Sequence, residues 1–180
     1  FSRPFWVFLA AAALVGAGTL DFALVAFHLQ KQTIVTTSHI PLYYMGAIAV
    51  TAVFALIGGK WFDIAPKAAL RFGILLGAIS PLFLLLGRQI ELWIGIALWG
   101  IGMGTQNALF RSVLATLIPA QQRSTGYGLF GVIYGLGWFL GSALIGTLYD
   151  VSIAFSALSS LALQLLSLPL IRKVFAPPKS

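Results

Sequence analysis

Asp21 lies within a long apolar run near the start of the chain and is the only acidic residue deep in such a run. On insertion scales a carboxylate at the centre of a membrane helix costs about 2.5–3.5 kcal/mol, so such a group tends to face a bundle interior or water. Gly18, Asp21, Val25 and His28 recur at spacings of three and four, which predicts one shared helical face. Two readings are open for Asp21. It is either structural, as a buried acid satisfied by hydroxyls or because the helix simply ends early near the outer surface, or a site that binds a proton, a cation or a substrate amine. His28 and His39, near the same outer loop, read as interfacial histidines.

Further along, Gln106 and Asn107 sit inside a second such run, and amides at that depth need partners or water. They are expected either to face a cavity or to cross-link helices. Gly100, Gly104, Asn107 and Arg111 share one stripe, and Arg111 lies close enough to the helix end to snorkel to the cytoplasm. Tyr134 and Trp138 are one turn apart, with the tryptophan deep in its run; they form either a stacking wall for a substrate or a filled core. Together Asp21, Gln106, Asn107, Tyr134 and Trp138 are the candidate residues for binding a substrate or coupling ion.

Covalent and metal chemistry find little support. There is no cysteine, no His-Glu-x-x-His motif and no Gly-x-Ser-x-Gly setting to pair with either histidine. No catalytic residue, metal or cofactor is expected, and an intramembrane enzyme is the least favoured class.

The elements that must position these residues are membrane helices. With 59% hydrophobic and 8% charged residues and a mean hydropathy of +0.98, the chain is expected to be an all-α integral membrane protein. Its apolar runs approach the ~20 residues needed to cross ~30 Å of hydrocarbon. Six are predicted, at about 5–29, 40–58, 69–87, 91–117, 125–148 and 152–171, in a single domain spanning 1–180. No run alternates apolar and polar residues as a barrel strand would.

The net charge of +7 has a topological explanation. If the amino terminus is cytoplasmic, Arg3, Lys60, Lys67, Arg71, Arg111, Arg123, Arg172, Lys173 and Lys179 fall on the inner side, and only Lys31 and Arg88 on the outer. This positive-inside bias places both termini in the cytoplasm of a multi-pass protein of the plasma or bacterial inner membrane. The lipid bilayer is thus the expected partner of the basic charge, and nucleic acid is not. The start at Phe1 rather than methionine is expected of a segment of a longer chain or of a processed product.

The longest charged break in the interior is Gly58-Gly59-Lys60-Trp61-Phe62-Asp63-Ile64-Ala65-Pro66-Lys67. Two glycines are expected to end the preceding helix, and Pro66 cannot continue it. The run 69–87 offers almost nothing polar and reads as lipid-facing. In the run 125–148, Ser124, Gly128, Gly131, Gly135, Trp138, Ser142 and Gly146 predict a face for close packing or sliding. The last run carries Ser156, Ser159, Ser160, Gln164 and Ser167, whose hydroxyls can bond to their own backbone.

Ala55-Leu56-Ile57-Gly58 before Phe62-Asp63 is echoed by Ala143-Leu144-Ile145-Gly146 before Tyr149-Asp150, three helices later. An odd offset inverts the copies, as two inverted three-helix repeats require, with halves at about 5–87 and 91–171. The spacing Gly59, Asp63, Lys67 resembles the loop signature Gly-x-x-x-Asp-Arg-x-Gly-Arg of the major facilitator superfamily, with Ile64 and Pro66 at the arginine and second-glycine positions. With Arg123-Ser-Thr-Gly-Tyr-Gly leading to Gly141 and Tyr149-Asp150, nearly the whole chain resembles the carboxy-terminal six-helix half of such a transporter.

That resemblance implies alternating access about a midplane site, with a preceding six-helix half as partner and a small molecule as substrate. It implies that the first, second, fourth and fifth helices line the cavity. It also implies a cytoplasmic gating loop of Gly59, Asp63, Lys67, Arg71, Arg111 and Arg123, in which Asp63 pairs with a base in one state and releases it in the other. The expected function is secondary transport of a small solute, proton-coupled through Asp21. The alternative is a six-helix homo-oligomeric channel or membrane scaffold.

Overall fold

Long apolar segments with few breakers fold as helices because lipid leaves backbone groups no partner outside their own segment. The computed structural model describes residues 1–176 and contains no strand among them; the tail from Pro177, including Lys179, lies outside the described residues. In order, the helices are α1 (Arg3–Gly18), α2 (Phe22–Lys31), α3 (Ile40–Ile64), α4 (Pro66–Leu86), α5 (Gln89–Gly104), α6 (Phe110–Leu117), α7 (Arg123–Val151) and α8 (Ile153–Val174). A π-helical segment, Thr105–Leu109, joins α5 to α6, and short 3-10 turns precede α3 and α7.

Five stretches are long and apolar enough to cross a membrane: Arg3–Lys31, Thr37–Ile64, Pro66–Leu86, Ala120–Val151 and Ile153–Val174. The run expected at 91–117 is helical from Gln89 to Leu117, but the π segment divides it, and α5 alone has 16 residues.

Three local expectations change. The run expected at 5–29 is two helices, broken at Thr19 and Leu20. Gly58 and Gly59 do not end their helix. It continues to Ile64 and turns at Ala65, which has φ −143° and ψ 69°, immediately before Pro66. Two helical glycines cost about 2 kcal/mol together, but the added turn buries Phe62 and sets Trp61 edge-on to Phe72 at 5.1 Å. Most of the expected charged loop is therefore helix, with Gly59 and Asp63 on α3 and Lys67 and Arg71 on α4.

Packing follows the small residues. α1 lies between α7 and α8, α4 between α5 and α8, and α3 runs along α5. A Cβ at Gly137 or Gly141 would strike the backbone of Ala13 or Ala17, so a small-xxx-small pair on each helix brings α1 and α7 into contact. Similarly, a Cβ at Gly77 would come within 2.9 Å of the Gly102 Cα. On the expected packing or sliding stripe of α7, Gly128, Gly131, Gly135 and Gly146 face open space in this chain, and the neighbouring face of Gly137 and Gly141 carries the contact with α1.

α4 is not mainly lipid-facing either. Ala69, Leu70, Gly73, Ile74, Gly77 and Ala78 are all buried, because Gly77 lets Gly102 of α5 and Gln164 of α8 approach and Gly73 leaves room for Thr105 of the π segment. The broad uncovered faces belong instead to α3, with Val53, Leu56 and Ile57, and to α7, with Val132, Leu136, Phe139 and Leu140. Two apolar clusters fill the bundle, one around Phe5, Phe8, Leu70, Phe110 and Ile171, the other around Leu20, Leu29, Ile96, Trp99 and Ile145. Between them lies the break in the first span.

Candidate functional site

A helix that stops inside a bundle leaves carbonyls without intrahelical partners, and each must find a donor. At the end of α1 the donors are side chains from two other helices. The Gly18 carbonyl accepts from Gln164 Nε2 at 2.9 Å and from the Ser160 hydroxyl, both on α8. The Leu20 carbonyl accepts from Trp99 Nε1 of α5 at 2.9 Å. Gly18 has no room for a side chain, since a Cβ would lie 2.6 Å from the Ser160 carbonyl oxygen.

The π segment supplies the next layer. Its wider turn directs Gln106 inward, where its Nε2 donates to Thr19 Oγ1 at 3.0 Å and its Oε1 accepts from the Tyr134 hydroxyl of α7. Thr19 Oγ1 in turn donates to the Val15 carbonyl at 2.8 Å. Thr19, Gln106, Ser160 and Gln164 are each at least 94% buried. The expectation that Gln106 either lines a cavity or cross-links helices resolves to a cross-link, joining the first span to α7. Asn107, one residue on, is exposed.

Asp21 follows the break. Its expected helical face with Gly18 does not form, because Thr19 and Asp21 have extended backbone and Leu20 between them belongs to no helix. Asp21 instead occupies the N-cap position of α2; its backbone carbonyl accepts from the Leu24 and Val25 amides, and its side chain makes no cap bond. The residue is exposed, at the edge of a partly open cavity of about 260 Å³ lined by Thr19, Leu20, Asp21, Ala23, Leu24, Ser142, Ile145 and Gly146.

Tyr134 stacks on Phe130 at 5.4 Å and meets Trp138 edge-on at 6.1 Å. Trp138 Nε1 and the hydroxyl of Ser142, one turn on, are buried without a hydrogen-bond partner. Buried polar groups are normally satisfied, so two orphans on one helix, one of them lining the Asp21 cavity, mark donors available to something else. The site thus combines an accessible carboxylate, the unused Ser142 hydroxyl and a broken helix.

The remaining expected residues lie elsewhere. Gly59 is half-buried with open space around it; Asp63, Lys67, Arg111 and Arg123 are exposed, and Arg71 is half-buried. Arg111 is tied down through its carbonyl, which accepts from the Tyr127 hydroxyl at 3.3 Å. Lys67 and Arg71 line a pocket against α8.

His28 departs from its interfacial reading. It is 2% exposed and shares a 2.9 Å hydrogen bond between its Nδ1 and the Tyr149 hydroxyl, which ties α2 to the end of α7. Lys31 Nζ lies 5.3 Å from the centre of the Tyr149 ring.

Spacing does not single out Thr19 or Trp99, and marks Ser160 and Gln164 only as two of several polar residues on α8. Their signal was available in one place: Gly16, Gly18 and Thr19 put three poor helix formers within four residues, two positions before Asp21.

Comparison with known proteins gives a consistent set of relatives. The family model described as the Major Facilitator Superfamily matches residues 4–179. An uncharacterized protein of Mycobacterium tuberculosis (strain H37Rv) is 30% identical over 173 residues, covering 96% of this chain and 42% of the relative. An uncharacterized protein of Mycobacterium bovis matches equally. The tetracycline resistance protein, class H, of Pasteurella multocida is 33% identical over 128 residues, covering 67% of this chain and 32% of that protein. The chain thus spans less than half the length of these curated relatives. No solved structure matches it.

Proposed function

Because the chain belongs to the major facilitator superfamily, we propose that it is one six-helix half of a secondary transporter that moves a small organic solute across the membrane by alternating access. The observation that carries this reading is the break in the first span. Transporter sites are typically built where a helix is interrupted near the midplane, with backbone and side-chain groups released for ligand or ion. Here the break lies beside Asp21 and an open cavity whose lining includes Ser142, with its unpartnered hydroxyl.

In this reading the rod from Gln89 to Leu117 completes the six spans, its length being about 40 Å at 1.5 Å per residue. The uncovered faces of α3 and α7 receive a second six-helix half, and the cavity at Asp21 opens towards it. Asp21 is the proton-coupling group: accessible at the cavity edge in this state, it exchanges its proton when the halves rock and its surroundings change. Asp63 takes part in a cytoplasmic latch with Arg111, Arg123 or a base of the other half, a reading supported by the exposure of Asp63 and both arginines. The same face of Gly128, Gly131 and Gly135 lets the halves slide past each other.

The test is transport by the natural full-length protein in proteoliposomes, under an imposed pH gradient, with a panel of labelled organic solutes beginning with tetracycline. Wild type should accumulate at least one of them uphill only when the gradient is present. Asp21→Asn should lose accumulation while keeping downhill exchange. Unchanged accumulation by that variant would remove Asp21 from coupling. Ion conductance by a defined oligomer, without uphill uptake, would favour the channel alternative.

A further inference from the structure

Where α3 gives way to α4, the chain leaves its apolar core and basic residues gather on one side. Lys67 and Arg71 are one turn apart near the start of α4, and α8, which packs along α4, ends with Arg172 and Lys173. Between the two helices is a pocket of about 260 Å³ lined by Lys67, Arg71, Ile171, Arg172, Phe175 and Ala176. Three cations therefore meet over an apolar floor, and no acidic residue is part of the lining. Lys67 Nζ stands over the Phe175 ring, 6.0 Å from its centre, so one of the cations rests against the apolar floor itself.

Like charges gathered from two helices repel one another unless an anion sits among them. The start of α4 adds a further preference. Its N-cap is Ala65, which offers no side-chain acceptor, and Pro66 occupies the first turn, so the amides that follow lack a capping partner. The location narrows the anion. Both helices pass here from their apolar run to a basic end, the depth at which a phospholipid headgroup lies, and the floor of Ile171 and Phe175 suits an acyl chain rather than water.

We infer that the pocket formed by Lys67, Arg71 and Arg172 between α4 and α8 binds the phosphodiester of an anionic phospholipid, with the lipid tail along Ile171 and Phe175. The lipid then bridges the third and last spans. Since Lys67 and Arg71 belong to the expected gating segment, a bound lipid holds that segment against α8. The inference needs only a membrane-embedded chain and does not depend on which solute is carried.

The test uses the natural full-length protein in detergent, with native mass spectrometry to count retained lipid. Phosphatidylglycerol is the probe, phosphatidylcholine the zwitterionic control, and inorganic phosphate or glycerol phosphate the soluble competitor. Wild type should retain phosphatidylglycerol in preference to phosphatidylcholine. Lys67→Gln, Arg71→Gln and Arg172→Gln should each reduce retention on the order of fivefold, since a cation at the membrane surface contributes about that factor. Arg88→Gln, outside the pocket, should not change it.

Equal loss in Arg88→Gln, or full retention in the triple variant, would overturn the site. Displacement by millimolar inorganic phosphate would overturn the lipid as occupant. If the triple variant fails to fold, a photoreactive phosphatidylglycerol decides with wild type alone: crosslinks on the peptide containing Phe175 support the site, and crosslinks confined to other helices overturn it.

Discussion

Replacing Gln106 with leucine removes the side chain that joins the broken end of α1 to α7 while keeping its volume nearly constant. Two bonds disappear, from Gln106 Nε2 to Thr19 Oγ1 at 3.0 Å and from the Tyr134 hydroxyl to Gln106 Oε1. Side-chain hydrogen bonds between membrane helices average about 0.6 kcal/mol and reach about 1.7. The Tyr134 hydroxyl is then left without its acceptor in the bundle, which costs a further ~1–3 kcal/mol. Thr19 loses less, because its hydroxyl still donates to the Val15 carbonyl. The expected destabilisation is therefore about 2–4 kcal/mol, most of it from the orphaned tyrosine.

That partition has its own test. Adding Tyr134→Phe to Gln106→Leu removes the orphan and should recover about 1–2 kcal/mol, although Tyr134→Phe alone in the wild type should be destabilising. The assay is equilibrium unfolding by sodium dodecyl sulfate in bicelles, followed by tryptophan fluorescence, with Trp99 bonded to the same broken segment. A Gln106→Leu variant within about 0.5 kcal/mol of wild type, the range of an ordinary surface change, would refute the cross-link. So would a double variant less stable than Gln106→Leu.

Two further outcomes follow from packing and topology. Gly141→Val forces a side chain into the Ala17 backbone and should remove most folded protein in size-exclusion profiles, whereas Gly131→Ala, which enters open space, should leave the yield within experimental scatter; equal behaviour of the two would contradict the α1–α7 contact. Because the chain has no cysteine, Ser38→Cys and Asp63→Cys each give a single label site at an exposed position. A membrane-impermeant maleimide should reach them from opposite sides, with Asp63 facing the cytoplasm, and same-side labelling would overturn the topology.

Helix content and membrane character were legible in the chain because they depend on local quantities. Apolar length decides whether a segment can span, and backbone satisfaction in lipid then leaves the helix as the only single-segment solution. Family membership was legible from the spacing Gly59, Asp63, Lys67 even with Ile64 and Pro66 departing from the pattern. Gln106 and Asn107 stood out alike as amides in an apolar run, but only packing separates the bonded Gln106 from the exposed Asn107.

Tertiary packing decided what spacing could not. Gly58 and Gly59 look like a helix end, yet burial of Phe62 carries α3 one turn further. The glycine stripe of α7 is the longer pattern, yet Gly137 and Gly141 make the contact, because only their face meets Ala13 and Ala17. His28 looks interfacial until Tyr149, far away in sequence, supplies its partner. Above all, the break at Thr19 and Leu20 is stable only because Trp99, Ser160 and Gln164 converge on the Gly18 and Leu20 carbonyls from two other helices. Periodicity describes one helix at a time; which carbonyl can be left without its own helix depends on donors brought by the others.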